Sequence, residues 1–222
     1  MKGVRAAAAK YLSRSGDLWL AAILAAAGIY FFSGRFTPVR FDRERIEVRV
    51  ERGRIRVLGL YHYANRSRLP AVLALGTPFP VDRDHLPPET YSLSEATEDG
   101  RWLAEIYPIV RGGDVRIRLL FRPGEAKWIR LDYAQPTRVA NGRYILTTTR
   151  AWRRPIANAF YILRLPHCFG LALSNYALTD SPASGRWKTY SFSKTDFYPD
   201  HDWEFAWDET VSCPGVREGG LP

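Results

Sequence analysis

From Arg45 onward the chain alternates with a period of two. Ile46, Val48 and Val50 are interleaved with Arg45, Glu47, Arg49 and Glu51. This is the pattern of a strand with one face in a core and the other in water. Arg52-Gly53 supplies a tight turn, and Ile55, Val57, Leu60, Tyr61 and Tyr63 continue as a second strand, so the two are expected to form a hairpin. Leu69–Leu75 is a short apolar run closed by Gly76-Thr77-Pro78-Phe79-Pro80, and Val81–Glu89 reads as a polar loop. Further strands are expected at Tyr91–Leu93, Trp102–Tyr107, Val115–Leu119 and Trp128–Tyr133. Asn141-Gly142 has the composition of a hairpin turn, leading into a strand over Tyr144–Thr149. Phe160–Leu165, Phe169–Leu173, Trp187–Phe192 and Trp203–Trp207 complete the set. Ten to twelve short strands with turn signals about every ten residues, and no amphipathic helix after Phe36, specify an all-β domain. The expected architecture is a β-sandwich, immunoglobulin-like or jelly-roll-like, over residues 37–222.

A different segment precedes it. Leu18–Phe32 runs fifteen residues without a charge, after Lys2, Arg5, Lys10 and Arg14. It is apolar all round, with Trp19 near one end and Tyr30, Phe31 and Phe32 at the other, as in interfacial aromatic belts. Bulky residues stand where a signal-peptide cleavage site needs small ones. Residues 1–36 are therefore expected to be a short basic tail and one uncleaved transmembrane helix, with the lipid bilayer as first partner. Four basic residues precede the span and four follow it (Arg35, Arg40, Arg43, Arg45), so the positive-inside count is tied. The short basic tail favours a cytoplasmic N-terminus and a C-terminal domain facing outward, from a bacterial inner membrane.

Charge placement agrees. The net charge is +9, and residues 1–68 hold 14 Lys and Arg against 5 Asp and Glu, whereas residues 69–222 hold 18 of each. The surplus flanks the apolar run, which fits anionic headgroups better than a nucleic-acid-reading domain. An aromatic content of 14% excludes disorder, and a mean hydropathy of −0.26 with one long apolar run excludes a polytopic membrane protein.

The two cysteines, Cys168 and Cys213, are expected to form a disulfide in an exported domain. Closing a loop of about 45 residues is worth roughly 4 kcal/mol. Two acidic-histidine clusters could in principle hold a divalent cation: Asp82, Asp84 and His85, and Asp200, His201 and Asp202. Neither has a diagnostic metal-ligand spacing, and adjacent residues of an extended segment point apart, so they read as separate loop features with exposed histidines and no metal. No nucleophile elbow and no phosphate-binding loop occurs, and no cofactor or catalytic residue is expected. Asn65-Arg66-Ser67 fits a glycosylation sequon.

Residues 128–165 contain Trp128-Ile129-Arg130-Leu131-Asp132-Tyr133-Ala134-Gln135, then Tyr144-Ile145-Leu146-Thr147-Thr148-Thr149, then Trp152, Pro155, Ile156 and Phe160. This resembles a pattern in uncharacterised bacterial exported, membrane-anchored β-sandwich proteins, in which a Tyr-x-Leu-Thr-Thr strand precedes Trp-x-x-Pro-Ile. The resemblance implies the sandwich and carries no site residues. The expected function is that of a structural, assembly or accessory subunit of an envelope complex, in contact with another envelope protein and not with nucleic acid. A glycan- or peptide-binding module and a metal-assisted envelope hydrolase are the alternatives.

Overall fold

The computed structural model describes Trp19, Ala22, Ile23, residues 37–111 and residues 114–209. Fourteen strands lie among them: β1 (Val39–Glu51), β2 (Arg54–Asn65), β3 (Ala71–Thr77), β4 (Thr90–Ala96), β5 (Trp102–Glu105), β6 (Ile109–Arg111), β7 (Asp114–Phe121), β8 (Ala126–Pro136), β9 (Asn141–Tyr144), β10 (Ile156–Pro166), β11 (Phe169–Ser174), β12 (Thr179–Ser184), β13 (Trp187–Phe197) and β14 (Trp203–Glu209). One 3-10 helix, Thr147–Trp152, interrupts them. Trp19, Ala22 and Ile23 are helical, and no helix among the described residues is long and apolar enough to cross a membrane. Tyr30, Phe31 and Phe32 lie outside the described residues.

The chain is all-β, as the alternation predicts. Its main sheet has eight strands in the order β12-β13-β10-β1-β2-β8-β4-β5. It is mixed: β1 runs parallel to β10 (Ile46 opposite Tyr161), while β10–β13, β2–β8 and β4–β8 are antiparallel. The expected β1–β2 hairpin forms, and Gly53 makes its turn at φ +70°, a left-handed conformation that costs glycine nothing. Two three-stranded sheets, β11-β14-β9 and β3-β7-β6, complete the structure.

The chain divides into two compact units. The smaller gathers Asn65–Leu75 and Arg118–Glu125. Its core is Ala71, Leu73, Leu119 and Phe121, and its organising residue is Asn65, fully buried. The Asn65 amide donates to the carbonyls of Leu69 (2.8 Å) and Arg122 (2.9 Å), while its oxygen accepts from the Ser67 N–H (3.0 Å) and hydroxyl (2.8 Å). The sequon is thus a loop brace whose amide nitrogen has no hydrogen left for a glycan.

In the larger unit, the inward residues of β1 and β2 (Ile46, Val48, Val50, Ile55, Val57) are buried to within 1%. The small β11-β14-β9 sheet packs on this inner side. Trp203 of β14 meets Tyr161 and Phe192 of the main sheet at ring-centroid distances of 5.8 and 5.1 Å. Two sequence expectations fail here, and one strand forms that the sequence did not announce. Asn141-Gly142 is not a turn but part of β9, and a Cβ on Gly142 would lie 2.4 Å from the Phe205 ring, so glycine is needed for close approach. The strand expected over Tyr144–Thr149 ends at Tyr144, and Thr147–Thr149 enter the 3-10 helix. Its free N–H groups are taken by Asp202 Oδ1, which accepts from Leu146 N–H (3.0 Å), Thr147 N–H (3.0 Å) and the Thr147 hydroxyl (2.9 Å). Finally, Thr179–Ser184 forms β12, which no alternation announced.

Candidate functional site: an open sheet edge beside closed polar clusters

The polar clusters come first, because the sequence points to them. In the Val81–Glu89 loop, Asp82 Oδ1 accepts from the backbone N–H of Asp84 (2.9 Å) and of His85 (2.9 Å) and pairs with His85 Nδ1 (2.9 Å), while Oδ2 takes Arg143 Nη2 (3.0 Å). These hydrogen bonds from the His85 backbone and ring and from the Asp84 backbone lower the Asp82 carboxyl to about 2. Contrary to expectation, His85 is buried, because the loop bridges to Thr137 and carries the ring inward. Its Nε2 meets no hydrogen-bonding partner among the described residues.

The second cluster is spent differently. His201 is half exposed and ends a column of stacked rings: Tyr161 on Phe192 (4.4 Å), Phe192 on Tyr176 (4.8 Å) and Tyr176 on His201 (4.6 Å). Its Nδ1 pairs with Asp200 Oδ1 at 2.6 Å, which holds that exposed carboxyl below its ordinary value. Asp202 faces away and caps the 3-10 helix. The carboxylates of Asp82, Asp200 and Asp202 are engaged by protein groups, and among the described residues no three His, Cys, Asp or Glu side chains are placed to hold a metal ion.

Two further polar sites were not foreseen. Glu44 is buried on the inner side of β1 and receives a hydrogen bond from the Tyr161 hydroxyl. Burial raises its carboxyl to about 7, against the opposing effect of that bond. The Tyr61 and Tyr144 hydroxyls pair at 2.7 Å nearby, and desolvation raises both phenols well above their ordinary value, with the Glu44 charge adding to the shift. The sequence did carry a signal: Glu44 is in phase with Ile46, Val48 and Val50, which places a carboxyl on the core side of the alternation. On the outer side of the sheet, buried His62 pairs through Nδ1 with Asp42, lies 3.4 Å through Nε2 from Arg43 Nη2, and packs on Trp128 at 4.9 Å. Arg43 also covers the Trp128 ring (5.0 Å) and pairs with Glu98 (2.9 Å). Both sites link neighbouring strands: Glu44 and Tyr161 join β1 to β10, and Asp42, Arg43 and His62 join β1 to β2.

What stays open lies at one end of the main sheet. β5 is an edge strand, and Arg101, Trp102, Leu103, Ala104 and Glu105 are all exposed. Trp102 is 58% exposed and Leu103 53%; beyond them Tyr107 is 79% and Ile109 49% exposed. Cys168 stands in the turn between β10 and β11, and its expected partner Cys213 lies outside the described residues.

No family model matches the chain, and no curated protein matches it in sequence. Among solved structures it is similar to a Legionella pneumophila protein provisionally described as nutrient-binding, at 13% identity and a TM-score of 0.58, over 77% of this chain and 67% of that one. It also resembles an M1 zinc metallopeptidase from Deinococcus radiodurans, at 16% identity and a TM-score of 0.46, over 76% of this chain and 42% of that one. A point mutant of that enzyme with a bound Tyr-Ser-Ala substrate gives 15% identity and a TM-score of 0.45. The chain spans less than half of the peptidases' length. The Legionella likeness speaks for a shared β fold alone, and the peptidase likeness is too loose to bear on this chain.

Proposed function

We propose that the protein is a membrane-anchored extracytoplasmic β-sandwich, of immunoglobulin-like or jelly-roll-like kind, that acts as a structural or accessory subunit of an envelope complex through protein contacts. In this reading residues 1–36 hold it at the bacterial inner membrane and a Cys168–Cys213 bond ties down its C-terminal part. The observation that carries the reading is the exposed apolar edge at β5 and β6. Soluble surfaces tolerate scattered apolar residues, but Trp102 and Leu103 on the edge strand β5, with Tyr107 and Ile109 also exposed within the next six positions, are surface that a contact would cover. Aromatic residues of this kind anchor protein interfaces.

Site-specific photo-crosslinking tests it. A photoreactive residue at position 107 of the full-length chain, expressed in bacteria, should give a discrete protein adduct, and one at Ser181 of the opposite edge should give none. Absence of any adduct from position 107 contradicts the contact role. A second reading, glycan or peptide binding, draws on the same exposed Trp102 and Tyr107. It predicts a small-molecule or peptide-dependent change in Trp102 fluorescence and no protein adduct.

A further inference from the structure

Residues 133–179 hold six Arg and neither Asp nor Glu. Three of these arginines, Arg150, Arg153 and Arg154, stand in and just after the 3-10 helix, and all three are exposed. The loop that carries them is pinned from inside. Trp152 turns inward onto the rings of Phe41 (5.7 Å) and Tyr63 (5.6 Å), and the Arg150 guanidinium lies 5.9 Å over the Tyr198 ring. Arg153 closes the helix in the left-handed conformation at φ +54°, and its N–H donates to the Arg150 carbonyl at 3.0 Å. Glycine fits such a position without steric cost, so an arginine there lowers stability and adds a surface charge.

The chain enters the main sheet at this same end. β1 and β10 are parallel with Arg43 opposite Asn158, so the start of β1, with exposed Arg40, lies beside the residues that lead into β10. Two carboxylates come near. Asp200, which feels the Arg150 charge, is paired with His201, and Asp202 caps the 3-10 helix. Four guanidinium groups against these two leave the cluster positive. Phe32, the last residue of the charge-free run, precedes Arg40 by eight residues, a reach of at most about 29 Å.

We propose that Arg40, Arg150, Arg153 and Arg154 form a docking surface for anionic phospholipid headgroups, which seats this end of the sheet on the bilayer. Guanidinium groups donate paired hydrogen bonds to phosphate oxygens, and basic residues beside a membrane span are drawn to anionic headgroups. An acidic protein would match the charge equally; the short tether favours the bilayer, because it keeps the cluster within reach of the headgroups. The β1–β2 turn, with exposed Arg52, lies roughly 40 Å further along the thirteen residues of β1 and points away from the lipid. The inference rests on the reading of residues 1–36 as a membrane anchor and adds how the domain is oriented on it.

Lipid photo-crosslinking tests it. The full-length chain, with a photoreactive residue in place of exposed Ala151 or of Arg52, is placed in nanodiscs of phosphatidylcholine alone or with phosphatidylglycerol added, and adducts are read by mass spectrometry. Position 151 should give a phospholipid adduct, at about threefold or higher yield in the anionic discs. High salt should remove that excess, and position 52 should give no adduct. R153E/R154E should lose the excess. Arg153→Gly, which relieves the left-handed residue, should unfold at no lower denaturant concentration than wild type and still give less adduct. No lipid adduct from position 151, equal yield in the two kinds of disc, or equal yield from position 52 would each overturn the proposal. A chain that stays out of both discs contradicts the anchor reading instead; sedimentation with phosphatidylglycerol vesicles then decides the cluster, salt-sensitive binding upholding it and no binding overturning it. A protein adduct from position 151 in cells, with no lipid adduct in nanodiscs, would overturn it in favour of a protein partner.

Discussion

The eight-stranded sheet ends in two unlike strands. At one end β12, Thr-Asp-Ser-Pro-Ala-Ser, is irregular in its pairing with β13 and carries Pro182, which cannot donate to a further strand. Behind its neighbour β13 stands the ring column from Tyr161 to His201, closed by Trp203, which is fully buried. At the other end β5 is also irregular in its pairing with β4, but it has no proline, all four residues exposed and two large apolar side chains in the open. The first end spends its aromatics on stability and blunts its edge. The second leaves its aromatics in solvent and its edge available. Edge strands are a liability that proteins manage: both ends carry a pairing irregularity, and only β12 adds a proline, so β5 is the less guarded of the two.

Substitutions at the two ends should separate these roles. Trp203→Ala empties the centre of the closed end and should cost about 3–5 kcal/mol in denaturant unfolding; a loss below about 1 kcal/mol would show that the ring column is not load-carrying core. Glu44, midway along the sheet, tests how dry the interior is. The folded protein keeps the Glu44 proton up to about pH 7 while an unfolded chain releases it near 4.5. The raised value means that its favourable contribution is complete below about pH 4.5 and is lost as pH rises through 7. The corresponding loss is about 3 kcal/mol, and Glu44→Gln should flatten that slope; an unchanged slope would place water beside the carboxyl. Asp202→Ala removes the acceptor of three hydrogen bonds at the 3-10 helix and should cost about 1–2 kcal/mol. At the open end Trp102→Ala should change stability by less than about 0.5 kcal/mol while weakening association. A large stability loss there would erase the contrast between the ends.

The legibility of these features follows the range of the interactions that set them. The β1–β2 hairpin was readable because alternation and Gly53 act locally. Gly142 was misread because its reason, the Phe205 ring, arrives from a strand some sixty residues later. The threonines at 147–149 have strand-forming side chains, yet Asp202 reaches them from afar and stabilises a helical turn instead. β12 has no apolar rhythm because only β13 holds it. Among the site residues, the two acidic-histidine clusters were found by composition and proved to be a loop brace and a helix cap. His85 was expected in solvent and is buried by the bridge to Thr137. The open edge went unremarked because Trp102-Leu103-Ala104 has no alternation, and that lack is itself what a strand without a buried face looks like.

Amide hydrogen exchange of the full-length chain, compared between bacterial membranes and the purified chain, tests the contact role of β5 most directly. Slower exchange of the β5 amides in the membranes than in the purified chain is expected, with β12 exchanging at the same rate in both. Equal exchange of β5 in the two, or protection that appears at β12 instead, would contradict it.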